Sequence, residues 1–251
     1  MESIGKKTVR LPEVDSTNRY FMDWLSREKP DEGTLVITDC QTSGKGMDGT
    51  VWESEPGQNL TFSFVLYPDF LAPDAQFYLN KIVALGLADM VSELTDRQVS
   101  IRIKWPNDIY IDDRKLAGTL IQNGIKGSSI EYSVVGIGMN INQEIFSGNA
   151  PNPVSLIMIS GNDYDLEFVL NKILDKIWLR YDLLKKGSKK EIDEDYLNCL
   201  YRYQQLADYV YKGNSVRAKI TGVNRYGQLI LEIPGEKIIE CDMKEITCLK
   251  T

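Results

Sequence analysis

Residues 104–118, KWPNDIYIDDRKLAG, hold the decision about the fold. Pro106 biases Trp105 toward extended backbone. Asn107-Asp108 open an alternating run that ends at Asp112-Asp113-Arg114, where the chain turns. Strand, short turn and strand make an antiparallel hairpin, without the long crossover that a parallel pair requires. The same turn sets Asp108 and Lys115, seven positions apart (115 − 108), near one another on adjacent strands. As a solvent-facing cross-strand ion pair they would contribute about 0.2–1 kcal/mol. Leu116-Ala117-Gly118 weakens that plain reading, because small side chains leave room for a ligand or another backbone.

Outward from the hairpin, the pattern mixes strands and helices. Residues 7–12 read as a short strand, and Asp15-Ser16-Thr17 caps a helix expected from about residue 18 to 27. TLVITDC (34–40) is an apolar run bounded by turn residues, so a buried strand, and 41–58, with four glycines and little periodicity, is a loop. Leu60, Phe62, Phe64 and Leu66 alternate strictly, which predicts a strand with one buried face. After Pro73 the apolar positions Leu79, Ile82, Val83, Met90 and Leu94 take helical spacing. Strands follow at 99–104, 108–112, 115–123 and 131–139. A second long helix is expected over 166–184, with Leu170, Ile173, Ile177, Tyr181 and Leu184 on one face, and KKGSKK separates it from a further helix. This order predicts an α+β fold rather than a doubly wound parallel sheet. From Gly213 onward the pattern is purely β, which predicts a small barrel and a division into residues 1–210 and 211–251.

Composition narrows the chemistry. The 251 residues are 43% hydrophobic and 26% charged, the profile of an ordinary globular protein. No apolar stretch approaches the roughly 18 residues needed to span a bilayer, and the N-terminus lacks the apolar core of a signal peptide. A cytoplasmic location without membrane contact is expected. The four cysteines show no C-x-x-C spacing, as suits a reduced compartment. There is no histidine, which removes Ser-His-Asp and Cys-His catalysis and every His-containing zinc site. A net charge of −7 disfavours tight non-specific binding to nucleic acid.

Two further segments depart from what packing alone would choose. In QTSGKGMDG (41–49), closed by Trp52, glycines 44, 46 and 49 allow consecutive N–H groups to face one concavity, with Lys45 inside it. The G-x-x-x-x-G-K-[ST] order of a P-loop is missing, and the residues alone leave an anion-binding nest and a plain surface loop equally open. GIGMNIN (136–142) ends a strand with two glycines, the mark of a bulge or a close ligand approach. There Asn140 could offer amide donor and acceptor groups to a heterocycle.

Taken together, Ser16-Thr17-Asn18 at a helix start, the loop QTSGKGMDGTVW, KWPND with the Lys of KLAG seven residues beyond its Asp, GIGMNIN and the terminal β unit resemble the biotin protein ligase family. The resemblance covers most of the chain. It implies a catalytic domain with a mixed, mostly antiparallel sheet of the class II synthetase type and a small SH3-like barrel. It implies that biotin and ATP react to biotinyl-5′-AMP and pyrophosphate, with Mg²⁺ accompanying the ATP. The biotinyl group then passes to one lysine of a biotin carboxyl carrier domain. By family match, Lys115 is the central cation, and Asp108 orients or deprotonates the incoming amine. Ser16, Thr17, Asn18 and Gln41 hold the biotin ring, Gly118 and Gly136 line its tail, and Gly44, Lys45, Gly46 and Met47 fold over it. Lys45 also reaches the adenylate, with Trp52, Asn107 and Asn140 around the nucleotide. That loop is expected to close over the adenylate and keep water out.

One departure stands out. Relatives write the loop with arginines, in the manner of GRGRRGR, whereas Lys45, Met47, Asp48 and Thr50 stand here. Lys45 keeps a charge without the bidentate fork. Only fifteen residues precede Ser16, too few for the winged-helix domain of the DNA-binding members, so the ligase-only form without DNA binding is expected. The family includes monomers and homodimers, and the resemblance leaves that choice open. Two alternatives differ in function. A lipoate or octanoyl transferase shares the catalytic fold but lacks the KWPND…KLAG and barrel combination. A non-catalytic biotin- or adenylate-binding regulator would have less reason to keep Asp108 with Lys115.

Overall fold

The computed structural model describes residues 3–44, 46, 51–95, 99–146, 148, 152–235 and 238–248. Its larger sheet contains β1 (Thr8–Val14), β2 (Leu35–Gln41), β3 (Leu60–Leu66), β4 (Ile101–Lys104), β5 (Asp108–Ile111), β6 (Arg114–Lys126) and β7 (Ser129–Met139). The order across the sheet is β1-β2-β3-β7-β6-β5-β4. Only β1 and β2 run parallel; the remaining neighbours are antiparallel. This is the α+β arrangement expected from the hairpin and its neighbours.

Helices cover both faces, unequally. α2 (Phe77–Leu94), α4 (Leu166–Lys185) and α5 (Lys189–Cys199) build the main core against one face, with Leu35, Phe62, Phe64, Ile109, Leu116, Val135 and Ile137 beneath them. α2 is buried almost all round because it lies between the sheet and α4. A Cβ on its Gly86 would stand 2.8 Å from the Ile177 Cα of α4, so only glycine allows this crossing distance. α1 (Thr17–Leu25) covers part of the opposite face, where Phe21 packs on Val36, Val65 and Val134. β3 therefore differs from its one-faced expectation: all seven of its residues are buried. Leu60, Phe62, Phe64 and Leu66 enter the main core, while Thr61, Ser63 and Val65 face α1 and the cavity beside it.

A second, wholly antiparallel sheet comprises β8 (Leu206–Tyr211), β9 (Asn214–Val223), β10 (Leu229–Glu232), β11 (Ile238–Cys241) and β12 (Ile246–Cys248), ordered β11-β10-β9-β8-β12. It opens at Leu206, ahead of residue 211, where the sequence pattern divides the chain. Gly213, with φ of 82°, is the turn inside the β8–β9 hairpin rather than its start, and Lys212 before it also has positive φ (47°). Two positive-φ residues between strands form the turn whose twist matches a hairpin. The sheet is tied to the rest by the Trp105 indole N–H, which donates to the Gly227 carbonyl at 2.9 Å, and by an Arg225–Asp74 ion pair at 2.9 Å. Among the described residues, no helix is long and apolar enough to cross a membrane. A short α3 (Leu156–Ser160) follows the segment that closes over the KLAG strand.

Candidate active site

The face beside α1 is organised by one row of residues that runs across the strands. Thr61 on β3 opposes Gly138 on β7, Gly138 opposes Gly118 on β6, Gly118 opposes Asp108 on β5, and Asp108 opposes Lys104 on β4. Directly opposite residues share a face, so this row is a floor with two bare glycines at its centre and charge at its β4 end. The neighbouring row, Ser63, Gly136 and Leu120, extends the floor toward α1. Above it lies a cavity of about 1000 Å³ that reaches from Ser16 and Thr17 past Lys115 to Ile246 and Thr247 of the second sheet.

The hairpin delivers its two charges through a bulge. From the turn, Ile111 pairs with Arg114 and Tyr110 with Lys115, but Ile109 pairs with Ala117, which leaves Leu116 as the extra residue. Leu116 and Ala117 both enter the core, so Lys115 and Gly118, an odd three positions apart, emerge on the ligand face. Lys115 Nζ then lies 2.8 Å from Asp108 Oδ2, with each side chain about a quarter exposed (26% and 24%). A Cβ on Gly118 would stand 3.2 Å from Asp108 Oδ1 and 3.3 Å from Lys115 Nζ, so glycine keeps the approach to both groups open. Backbone bonds fix Lys115 on its other side: its N–H donates to the Asn152 carbonyl at 2.8 Å, and its carbonyl accepts from Val154 N–H at 2.9 Å.

At the α1 end, polar groups are held by one another. Ser16 is the N-cap of α1. Gln41 Oε1 accepts from the Thr17 backbone N–H at 2.8 Å, which fixes the amide and leaves Nε2 as a donor group. Asn18 donates through Nδ2 to the Leu120 carbonyl and to Gln122 Oε1, both at 3.1 Å, so its Oδ1 is the acceptor. Ser63, fully buried, donates to that Oδ1 at 2.6 Å and lies 2.7 Å from Thr17 Oγ1. A Cβ on Gly136 would come within 2.2 Å of Asn18 Oδ1, so this glycine makes room for the α1 N-terminus.

The middle of the floor belongs to Trp52. A Cβ on Gly138 would meet its indole at 2.3 Å from Cε2 and 2.6 Å from Nε1, and Lys115 Nζ lies 5.8 Å from the ring centroid. The Trp52 N–H donates to the Gly44 carbonyl at 3.0 Å, which closes the base of the loop. Asn140 donates its backbone N–H to the Leu116 carbonyl at 3.0 Å and its side-chain Nδ2 to the Val154 carbonyl at 3.0 Å. Its Oδ1 is buried and, among the described residues, accepts no hydrogen bond. A buried open acceptor beside a cavity is an invitation to a donor on a ligand.

The structure thus brings together Ser16, Thr17, Asn18, Gln41, Gly46, Trp52, Asn107, Asp108, Lys115, Gly118, Gly136 and Asn140 around one cavity. Gly44 sits at the base of the loop, against Trp52. Lys45 and Met47, with Asp48 and Thr50, lie outside the described residues. Asn107 is buried and donates its amide to the Thr119 carbonyl, so part of its hydrogen-bonding capacity is spent inside the hairpin. The Trp105–Pro106 peptide next to it is cis. Sequence reasoning missed Ser63 and Lys104. The signal for Ser63 was present, a hydroxyl inside the apolar run LTFSFVL. Among the described residues, no cluster of three or more Cys, Asp or Glu side chains could hold a metal ion.

Comparison with known proteins agrees with the motifs. The sequence model of the biotin/lipoate A/B protein ligase family matches residues 11–140. The bifunctional ligase/repressor BirA of Bacillus spizizenii is 32% identical over 181 residues, covering 69% of this chain and 53% of that protein. Human biotin–protein ligase is 31% identical over 140 residues, covering 54% of this chain and 19% of the relative. The chain spans about half the length, or less, of these curated relatives. In structure it is similar to the biotin protein ligase from Aquifex aeolicus in complex with biotin and ATP, with a TM-score of 0.79, 27% identity, and 98% of this chain and 100% of that chain covered. Biotin protein ligase from Leishmania major in complex with biotinyl-5-AMP, at 20% identity and a TM-score of 0.66, shares the fold.

Proposed function

Because the chain belongs to the biotin/lipoate A/B protein ligase family, we propose that it activates biotin with ATP and transfers the biotinyl group to a lysine of a biotin carboxyl carrier domain. The observation that supports this most directly is the Lys115–Asp108 pair, 2.8 Å apart, set beside a two-glycine floor in a cavity of about 1000 Å³. Cation and carboxylate serve different halves of such a reaction.

In the first half, biotin's carboxylate is already an anion at pH 7, so no base is needed and the absence of histidine is no handicap. The obstacle is repulsion between that anion and a triphosphate. A carboxylate oxygen attacks the α-phosphorus, the bond to the β-bridging oxygen breaks, and pyrophosphate leaves with the electron pair. Lys115 supplies three N–H donors: one stays on Asp108 while others reach the carboxylate and the α-phosphate. Gln41 Nε2 and the Ser16 and Thr17 hydroxyls address the ureido ring. Asn140 Oδ1 accepts from the adenine amine, and Trp52 covers the base. Mg²⁺, if it accompanies the ATP, would be held mainly by the phosphate oxygens and would offset their charge.

In the second half, the attacking carrier lysine has an ordinary pKa of about 10.4, so presenting it as a free amine at pH 7 costs about 4.6 kcal/mol. Asp108, reachable over Gly118, accepts a hydrogen bond from that amine and attracts its proton. The Asp–Lys pair thus places an amine-binding anion and a phosphate-binding cation on either side of one mixed anhydride.

Single-turnover kinetics test this division. Lys115→Ala is expected to slow pyrophosphate release on the order of a hundredfold or more. Asp108→Ala is expected to slow labelling of a carrier domain from preformed biotinyl-5′-AMP more than it slows adenylate formation. Equal loss of both steps in both folded variants would reduce the pair to a single electrostatic unit. Lipoate in place of biotin, in the same assay, separates the lipoate-ligase alternative.

A further inference from the structure

Four charged side chains line the cavity among its described residues: Glu53, Lys104, Asp108 and Lys115. Lys115 and Asp108 neutralise each other. Lys104 stands directly across from Asp108 on the β4–β5 hairpin, yet among the described residues it forms no ion pair. Its Nζ turns instead to the Tyr110 hydroxyl at 3.2 Å and lies 5.0 Å from that ring's centroid. Tyr110 is itself buried, packed 5.8 Å from the Tyr201 ring. Tyr201 donates to Asp113 at 2.5 Å, and burial followed by that bond pushes its phenol above the usual pKa. A half-buried ammonium that donates to one phenol and, among the described residues, meets no carboxylate within ion-pair distance gives up hydration that a single neutral oxygen only partly replaces. Such a group is set for an anion that arrives with the substrate.

Resting on the adenylation reading above, we propose that Lys104 binds the β- and γ-phosphates of ATP and, after the bond breaks, the leaving pyrophosphate. Direction supports this. The biotin end of the cavity lies at Gly136 and the α1 N-terminus, on the β3 and β7 side of Lys115. Displacement at phosphorus places entering and leaving oxygens roughly in line. A carboxylate that enters from the β7 side expels its leaving group toward β5 and β4, where Lys104 ends the row. Lys104 on β4 lies two strands from Lys115 on β6, about 10 Å at about 4.8 Å per strand, a span that a triphosphate and the two long lysine stems cover together.

The test uses the reverse half-reaction, in which biotinyl-5′-AMP and pyrophosphate return ATP and biotin. Lys104→Gln keeps most of the stem and removes the charge; Lys104→Arg keeps the charge. We expect Lys104→Gln to raise the KM for pyrophosphate by about tenfold or more, with Lys104→Arg restoring most of it. Calorimetric binding of inorganic pyrophosphate to the adenylate-loaded protein should weaken in parallel. Transfer from preformed biotinyl-5′-AMP to a carrier domain involves no pyrophosphate and should change far less. An unchanged pyrophosphate KM in Lys104→Gln overturns the proposal. A transfer defect with that KM intact also overturns it, and assigns the ammonium to an acidic side chain of the carrier. If the wild-type protein makes no ATP from biotinyl-5′-AMP and pyrophosphate, the adenylation reading falls and takes this proposal with it.

Discussion

Gly138→Ala is the substitution that separates the two ends of the cavity most cleanly. Neither Gly138 nor Gly136 has positive φ, so alanine meets no backbone penalty at either position and any effect is steric. At Gly138 the new methyl would lie 2.3 Å from Trp52 Cε2, whereas ordinary contact begins at 3.4 Å, so the indole must retreat by at least 1.1 Å (3.4 − 2.3). Overpacking of this kind costs about 1–3 kcal/mol, which corresponds to a loss of between about fivefold and a hundredfold in affinity. Trp52 sits beyond the strands, so under the proposed reading, in which it covers the base, the cost should fall on nucleotide binding rather than on folding. The KM for ATP, followed by pyrophosphate release, should rise by about tenfold, while biotin binding measured by calorimetry changes little. Tryptophan fluorescence should report the displaced indole directly. Gly136→Ala supplies the reciprocal: its methyl would meet Asn18 Oδ1 at 2.2 Å and should weaken biotin rather than ATP. If Gly138→Ala weakened biotin as much as ATP, or left Trp52 emission and ATP unchanged, this partition of the floor would be wrong.

Three further outcomes follow from other parts of the molecule. Ser63→Ala removes the donor at 2.6 Å from the buried Asn18 Oδ1, a loss of about 1–3 kcal/mol; titration should show weaker biotin binding with the KM for ATP unmoved. Gly86→Ala forces α2 and α4 apart and should lower stability by about 1–3 kcal/mol in urea melts, with activity per folded molecule retained. The hydrogen bonds and charges of Lys172 and Lys176 lower the Glu93 carboxyl from its ordinary 4.5 to about 2. Because a depressed carboxylate pKa stabilises the fold above the unfolded value, the stability gap between wild type and Glu93→Gln should be complete above pH 4.5. It should fade as pH falls toward 2, and a gap that widened on acidification would contradict the assignment.

What could be read in the sequence was what local pattern determines. The hairpin at 104–118, the long α4 and the purely β tail each announce themselves by period and turn chemistry, and the structure contains them. The pairing of Asp108 with Lys115 was legible from the turn alone. Register was not: nothing in KLAG says that Leu116 is a bulge, because the bulge arises from β6 meeting β7 as well as β5. Alternation in LTFSFVL suggested a solvent-facing side for Thr61 and Ser63, yet α1 and the cavity cover it. Coverage of that kind is a tertiary fact, decided by residues forty positions away. Lys104 escaped notice because its meaning depends on what its Nζ meets in three dimensions, the Tyr110 hydroxyl rather than a carboxylate, and that choice has no signature in sequence.

The bulge also gives length changes in β6 a position-specific meaning. Deleting one residue from a strand normally turns everything beyond it to the other face. At Leu116 the deletion would instead remove the extra residue, leaving Lys115 and Gly118 both toward the ligand. The loss would be one buried leucine and the carbonyl that receives Asn140. One step past Gly118, the same deletion would turn the following residues of the strand inside out and carry Leu120 and Gln122 away from Asn18. Homologous chains one residue shorter in this part of β6 should therefore lose it between the lysine and the glycine rather than just beyond the glycine.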